Sequence, residues 1–372
     1  MNGEFTEVTH SYLRRADIKR RKSLGQYFTP RTVREHLLSQ LPKRKQARVL
    51  DPASGTGEFL LSAQEYFGDC QLVGWEIDPG LVKLSRQVIP KAQVIRQDSL
   101  KHAVSDKYDF VIGNPPYFEF KPDPATRARF SDVISGRANI FSMFIKLGLE
   151  MLRAGGYLAY VIPPSMNNGA YFTALRSYIE RHANIEYLSV LDSPMLFDRA
   201  HQTVMIMVLK KGPNRGDYIF ARDSLRIFAT DPKKLKRAFA GKSTLNEHGF
   251  VVRTGKIVWN QHRDKLTTSP RGAVPLIWSH NLNGNSLTLG NLPGKPQYIR
   301  HDRFDTGPAI VVNRVTGLAH TLHLKAVLIK RATPFLGENH VNVIYPPKGT
   351  PIGLLQKIAN QISDPSTVET MR

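Results

Sequence analysis

The chain has 372 residues, 41% of them hydrophobic, which is long enough for more than one core. Its 52 Lys and Arg against 31 Asp and Glu leave a formal charge of +21, spread along the whole length, so a polyanion is the expected partner, nucleic acid foremost. A single cysteine excludes an internal disulfide framework and suits a reducing cytosol; no apolar run approaches a membrane span, and the N-terminus lacks the apolar region of a secretory signal.

In chain order, "GQYFTPRTVREHLL" predicts a helix with Thr29 as N-cap and Pro30 as its first residue, whose free N–H groups would also attract a carboxylate. "ARVLDPA" reads as a strand, and "GEFLLSAQEYFG" as a helix with Phe59, Leu60, Ala63 and Phe67 on one face. "CQLVGWEID", "AQVIRQD" and "YDFVIGN" are further strands, with a helical "PGLVKLSRQVI" among them. The alternation implies a parallel sheet covered by helices. "NIFSMFIKLGLEMLRAGG" is a long amphipathic helix whose glycine pair suits a C-cap. The strand "YLAYVIPPS", the helix "YFTALRSYIERH" and the strands "IEYLSVL" and "TVMIMVLKK" follow. At "KKGPNRGD" the pattern breaks, and short segments punctuated by Gly, Pro and Asn take over. The expected division is an α/β domain over 1–210, a linker over 211–217 and a smaller, β-rich, basic domain over 218–372.

"VLDPASGTGEFLL" sets Gly55 and Gly57 between a strand and a helix, where an open α/β sheet binds nucleotide-like ligands. Glu76 follows about 20 residues later, at the end of the next strand, suited to a ribose diol. Leu60 stands where a dinucleotide site has its third small residue, so a ligand with adenosine but no pyrophosphate fits better. Asp98 closes the following strand, where it can accept from an exocyclic adenine amine or cap the next turn. In "DFVIGNPPYFEF" an apolar run ends in Asn114, Pro115 and Pro116; the prolines remove two backbone donors and fix φ at the edge of the sheet.

The order and spacing of "GQYFTP", "DPASGTGEFL", "GWEIDP", "RQDSL" and "DFVIGNPPY", with a basic region after them, resemble the gamma-arranged adenine-N6 DNA methyltransferases of type II restriction-modification systems. The resemblance implies a Rossmann-like class I methyltransferase domain with a mostly parallel seven-stranded sheet, plus a smaller β-rich target-recognition domain. It implies S-adenosylmethionine as methyl donor and no metal. Thr29 then belongs to the donor's amino-acid end, Asp51, Ala53, Gly55 and Gly57 to its methionine portion, Glu76 to the ribose and Asp98 to the adenine; Tyr27, Ile77, Ser99 and Asn114 are further cofactor-binding candidates. Ser54 stands where a cysteine or glycine is common.

The adenine N6 lone pair is delocalised into the ring, so the nitrogen must be drawn toward sp³ geometry before it attacks. The Asn114 side-chain oxygen and the Pro115 carbonyl would accept its two hydrogens, with Pro116 completing a stiff corner. A base in a duplex must rotate out to reach them, and Tyr117 and Phe197 are the expected stacking platforms.

The loop "FEFKPDPATRARFSDVISGRAN" offers Lys121, Arg127 and Arg129 as phosphate contacts, and "VVRTGKIVWNQHRDKL" offers Arg253, Lys256, Trp259, His262 and Arg263. The expected setting is a monomer on double-stranded DNA in a prokaryotic cytoplasm, any matching restriction endonuclease being a separate protein. Cytosine-N4 enzymes more often carry Ser or Asp in place of Asn114. Methyltransferases of RNA or of protein glutamine share the Asn-Pro-Pro-Tyr corner, but "GQYFTP" and the basic C-terminal region speak against them. A catalytically idle DNA-recognition or regulatory subunit would not need donor loop and corner together.

Overall fold

The structure, a computed structural model, describes residues 3–17, 21, 25–102, 107–136, 138–167, 169–191, 203–223, 225–314, 323–330 and 332–367. It divides into two compact units, Met1–Lys234 and Leu235–Arg372. In the first, α1 is Glu7–Arg15, α2 Arg31–Ser39, β1 Ala47–Asp51, α3 Glu58–Phe67, β2 Cys70–Glu76, α4 Pro79–Val88 and β3 Gln93–Arg96. Then come β4 Tyr108–Gly113, α5 Pro124–Arg129, α6 Ile140–Met151, β5 Leu152–Ile162, α7 Thr173–His182, β6 Ala183–Leu191 and β7 Val204–Lys211.

These strands form one seven-stranded sheet in the order β3-β2-β1-β4-β5-β7-β6. The strands from β3 to β5 pair in parallel, and β7 runs antiparallel to both its neighbours. The expected mostly parallel seven-stranded sheet is the observed one. Period-two alternation supplies both faces. Val204, Ile206 and Val208 of β7 pack with Leu37 and Leu38 of α2 and Phe59 and Leu60 of α3, while Met205, Met207 and Leu209 pack with Phe141 and Ile145 of α6 and Leu175 and Ile179 of α7. Strand order reverses between β1 and β4, so the loops leaving these neighbours diverge and open a crevice at their carboxyl ends.

The glycine pair after α6 is not a cap. The helix stops at Met151, Leu152 is already extended, and Gly155 and Gly156 lie within β5. Leu152 pairs with Tyr108 but Tyr157 with Phe110, so β5 carries a local excursion between the two pairings. A Cβ on Gly156 would stand 3.0 Å from the Asp109 carbonyl, which is why small residues are needed there. Immediate strand pairing by Leu152 wins over the capping geometry that the glycines suggested.

A hairpin, Ile219–Arg222 with Leu225–Phe228, buries Ile219 and Phe228 in the same core as α7. The second unit is built on a four-stranded antiparallel sheet, Val251–Thr254, Val341–Tyr345, Ala309–Asn313 and Ala326–Ile329 in that order. One face packs Ile310, Val312 and Ile344 against Leu355 and Ala359 of the helix Ile352–Ser363. A five-stranded sheet of short strands accompanies it. Among the described residues no helix is long and apolar enough to cross a membrane.

Candidate active site

The crevice beyond β1 and β4 is a cavity of about 530 Å³. Asp51 ends β1 on its wall, 1% exposed, its Oδ1 accepting the Ala53 N–H at 3.0 Å. Burial, which the nearby charge of Glu76 reinforces and the Ala53 N–H opposes, pushes this carboxyl up to about 8. Gly113 ends the adjacent β4 at φ +143°, and a Cβ there would lie 2.7 Å from Asp51 Oδ1. Gly113→Ala is therefore expected to lower stability by about 1–3 kcal/mol, read as a drop in the urea midpoint, through both backbone strain and the clash.

Glu76, 8% exposed, holds two loops at once: Oε2 accepts the Gly55 N–H and Oε1 the Asp78 N–H, both at 2.9 Å. Burial raises its pKa. Gly55, at φ +53°, lines the cavity with Ala53. Gly57, expected beside the ligand, is off the cavity wall. Its missing Cβ would fall 2.5 Å from Ser85 Oγ, so this glycine lets α3 approach α4. Asp98 caps the turn Ser99–Lys101 through the Leu100 N–H at 3.1 Å. Ser99 donates to the Pro52 carbonyl at 2.5 Å and so clamps the loop after β1. Ile77, 64% exposed, and Asp98 both line the cavity.

Across the cavity, α2 starts at Arg31 with Pro30 in the cap position and no side-chain cap. The expected N-cap role of Thr29 is corrected: Glu4 Oε2 takes the Thr32 N–H at 3.1 Å, because the Thr29 hydroxyl is engaged elsewhere. Its Oγ1 accepts from Asn114 Nδ2 at 2.9 Å, and the same nitrogen donates to the Tyr27 carbonyl at 3.1 Å. Both donors of the amide are thus engaged, and Asn114 Oδ1 faces Tyr117, whose hydroxyl donates to it. That hydroxyl also lies 2.6 Å from the Val161 carbonyl, and burial keeps the phenol well above its ordinary range, hence protonated.

The Tyr117 ring stacks on Tyr27, with centroids 6.0 Å apart and planes 19° apart, and meets Phe141 edge-on. Sequence reasoning gave the Asn114 oxygen and the Tyr117 ring wholly to a substrate; here each also holds the other. It missed Gly25, at φ +62°, where a Cβ would come within 2.9 Å of the Tyr117 backbone nitrogen. The glycine of "GQYFTP" was the available signal. Pro115 is buried behind the corner, Pro116 lines the cavity, and Phe197 lies outside the described residues.

Lys121 and Arg127 are exposed near this cavity's apolar wall of Phe118 and Phe120. Arg129 is corrected as a phosphate contact: its guanidinium donates to the Leu100 and His102 carbonyls at 2.7 and 2.8 Å and pairs with Glu150 at 3.4 Å. In the second unit Arg253 and Arg263 are exposed, the latter 4.9 Å from the Trp259 ring. Trp259 packs on the core around Trp278, Lys256 pairs with Asp305 at 2.5 Å, and His262 Nδ1 lies 3.1 Å from the Val258 carbonyl. Lys256 and Trp259 are therefore partly committed inside the unit.

Six acidic residues line the cavity, Asp51, Glu76 and Asp98 among them, and Lys101 at its wall lies 4.0 Å from Asp98. That lining favours a cationic ligand with hydroxyl donors and opposes a pyrophosphate. S-adenosylmethionine, with its sulfonium, ammonium and ribose diol, fits such a lining. Sheet order, switch-point cavity and lining together define a class I S-adenosylmethionine-dependent methyltransferase. Residues 4–245 match the model of the N-6 DNA Methylase family, and the chain belongs to that family. It is a DNA adenine-N6 methyltransferase that uses S-adenosylmethionine.

Among curated relatives, the type II methyltransferase M.CvrRI of Paramecium bursaria Chlorella virus XZ-6E is 25% identical over 91% of this chain and 88% of its own length. Type II methyltransferase M.BsuBI of Bacillus subtilis is 24% identical over 88% and 79%. Among solved structures, the type I restriction-modification methyltransferase subunit of Streptococcus thermophilus is 18% identical, with a TM-score of 0.43 over 59% of this chain and 54% of that one.

Proposed function

We propose that this chain methylates N6 of an adenine at one specific site of duplex DNA, rotated out of the helix, as the modification enzyme of a type II restriction-modification system. The order of its motifs supports the gamma arrangement, and the likeness to the type II methyltransferases M.CvrRI and M.BsuBI supports the type II setting. The observation that carries the reading is the Asn114 amide on the wall of a carboxylate-lined cavity, its two N–H groups engaged by the Tyr27 carbonyl and Thr29 Oγ1 so that its oxygen remains the acceptor.

When bound, S-adenosylmethionine supplies a methyl group on a cationic sulfur, which needs no further activation. Asn114 Oδ1 and the Pro115 carbonyl accept the two N6 hydrogens and draw the nitrogen lone pair out of conjugation. Thr29, Asp51, Ala53 and Gly55 border the donor's amino-acid part, Glu76 accepts from its ribose, and Ile77 and Asp98 flank its adenine. The entering amino group displaces the Tyr117 hydroxyl from Asn114, and the Tyr117 ring, stacked on Tyr27, serves as the platform for the base. Transfer then rests on proximity and alignment, and the N6 proton leaves to water. Arg253, Arg263, Lys121 and Arg127 are the exposed cations proposed to meet phosphates; any partner endonuclease is a separate chain, and the enzyme acts as a monomer.

The test is direct. The protein is incubated with radiolabelled S-adenosylmethionine and mixed-sequence duplex DNA, and the DNA is digested to nucleosides. Label in N6-methyldeoxyadenosine supports the proposal; tight DNA binding without label defeats it. Tyr117→Ala is expected to lower kcat/KM about tenfold, the loss of one stacking face at about 1–3 kcal/mol. Tyr117→Phe should stay within about threefold of the parent, because it loses only a hydroxyl bond of about 1 kcal/mol and keeps the ring. Equal losses in the two variants would assign the effect to the hydroxyl.

A further inference from the structure

We infer that Thr29, anchored by the buried ion pair of Arg34 and Glu58, is the positioning residue that holds the Asn114 amide in the orientation the Tyr27 carbonyl dictates; the inference deepens the reading above and rests on it. A primary amide fits its site in two orientations half a turn apart, one presenting an acceptor and the other a donor. The Tyr27 carbonyl, 3.1 Å from Asn114 Nδ2, can only accept. The Thr29 hydroxyl oxygen, 2.9 Å away, accepts the second hydrogen. In the reversed orientation Oδ1 would face the Tyr27 carbonyl, acceptor against acceptor, and Nδ2 would take the place of Oδ1 beside the Tyr117 hydroxyl. There it would repel an incoming amino group instead of taking a hydrogen from it. The choice thus sets the polarity of the one side-chain atom aimed at the nucleophile.

The hydroxyl can do this only if its own backbone is held. Thr29 is 4% exposed, and its carbonyl accepts from Arg34 Nη1 at 2.6 Å. Arg34, 2% exposed, pairs through Nη2 with Glu58 Oε2 at 3.0 Å and donates from Nε to Ser62 Oγ at 2.9 Å. Glu58 is the first residue of α3, directly after the loop that borders the methyl donor, and its other oxygen accepts the Thr6 N–H at 2.9 Å. The amide is thereby tied to the helix that opens on the donor loop. A buried guanidinium bonded through all three of its nitrogens is a rigid anchor, since removing either partner of its ion pair leaves an unpaired charge.

The experiment measures steady-state kinetics of the full chain on mixed duplex DNA while S-adenosylmethionine is titrated. Thr29→Val keeps the shape and removes the oxygen; Thr29→Ser restores it. The valine variant is expected to lose about tenfold in kcat, the weight of one hydrogen bond, with the KM for S-adenosylmethionine within about twofold, and serine to recover kcat to within about twofold. Thr29→Ala is read in the same way should valine prevent folding. Unchanged kcat in the valine or alanine variant, or a tenfold rise in that KM with kcat intact, overturns the inference by making Thr29 a donor contact alone. A parent protein that leaves adenine unlabelled would instead overturn the function proposed above, so the two failures are separate.

Discussion

Replacing Asn114 by alanine is expected to lower kcat by about 10²–10³-fold or more, the usual effect of removing one preorganised polar group aimed at the reacting atom. Three bonds are lost with it, from Nδ2 to the Tyr27 carbonyl and to Thr29 Oγ1 and from the Tyr117 hydroxyl to Oδ1. All are neutral and at a half-buried site, so stability should fall by only about 1–3 kcal/mol and the protein should remain folded. DNA affinity should stay within a few-fold of the parent, since phosphate contacts lie elsewhere. The measurement is single-turnover methyl transfer beside a filter-binding isotherm and a far-UV spectrum. Asn114→Asp should be as damaging: a carboxylate has no hydrogen for the Tyr27 carbonyl and would meet it acceptor against acceptor. Transfer retained in either variant would remove Asn114 from the chemistry.

The second large effect is a pH dependence of cofactor binding set by Asp51. Its carboxyl is held up to about 8 against an ordinary 3.8, chiefly by burial. In the cofactor-free protein the folded chain keeps a proton that the unfolded chain releases, so Asp51 makes stability fall as pH rises from about 4 to about 8 and leaves it level above. A bound cation beside the carboxyl favours the ionised form, so binding expels that proton. The affinity for S-adenosylmethionine should therefore climb by up to about tenfold per pH unit below about 8 and flatten beyond it. Calorimetric titration between about pH 6 and 9 gives the slope, and repeating it in buffers of different ionisation enthalpy counts the protons released. Asp51→Asn should abolish the slope, stabilise the cofactor-free protein at pH 8 and bind weakly throughout. A flat profile in the parent protein would mean that Asp51 is already ionised or lies apart from the cation.

The sheet was legible because its strands are apolar on both faces, and a run such as "VMIMVLKK" has nowhere to go but a covered sheet. Glycines with a single local purpose were less so. Gly155 and Gly156 look like a helix end from composition, yet they serve a strand excursion beside Asp109. Gly57 looks like part of a ligand loop, yet it faces Ser85 of the next helix. Arg129 carries the composition of a phosphate contact, but two backbone carbonyls claim it. Each misreading has the same origin: a residue type names what a side chain can do, and the neighbour that uses it comes from a distant part of the chain.

By itself the amino-acid order determined the α/β alternation, the donor loop with its spaced acids, and a proline-stiffened asparagine at the end of a strand, because backbone propensity and hydrophobic period are local. Only the tertiary structure decided the direction of the Asn114 amide. That choice needs Tyr27 and Thr29, more than eighty residues upstream, brought beside β4 and fixed by an ion pair between two helices. Hydrogen-bond polarity depends on which groups meet, and in this chain the meeting is arranged by packing around the switch point between β1 and β4.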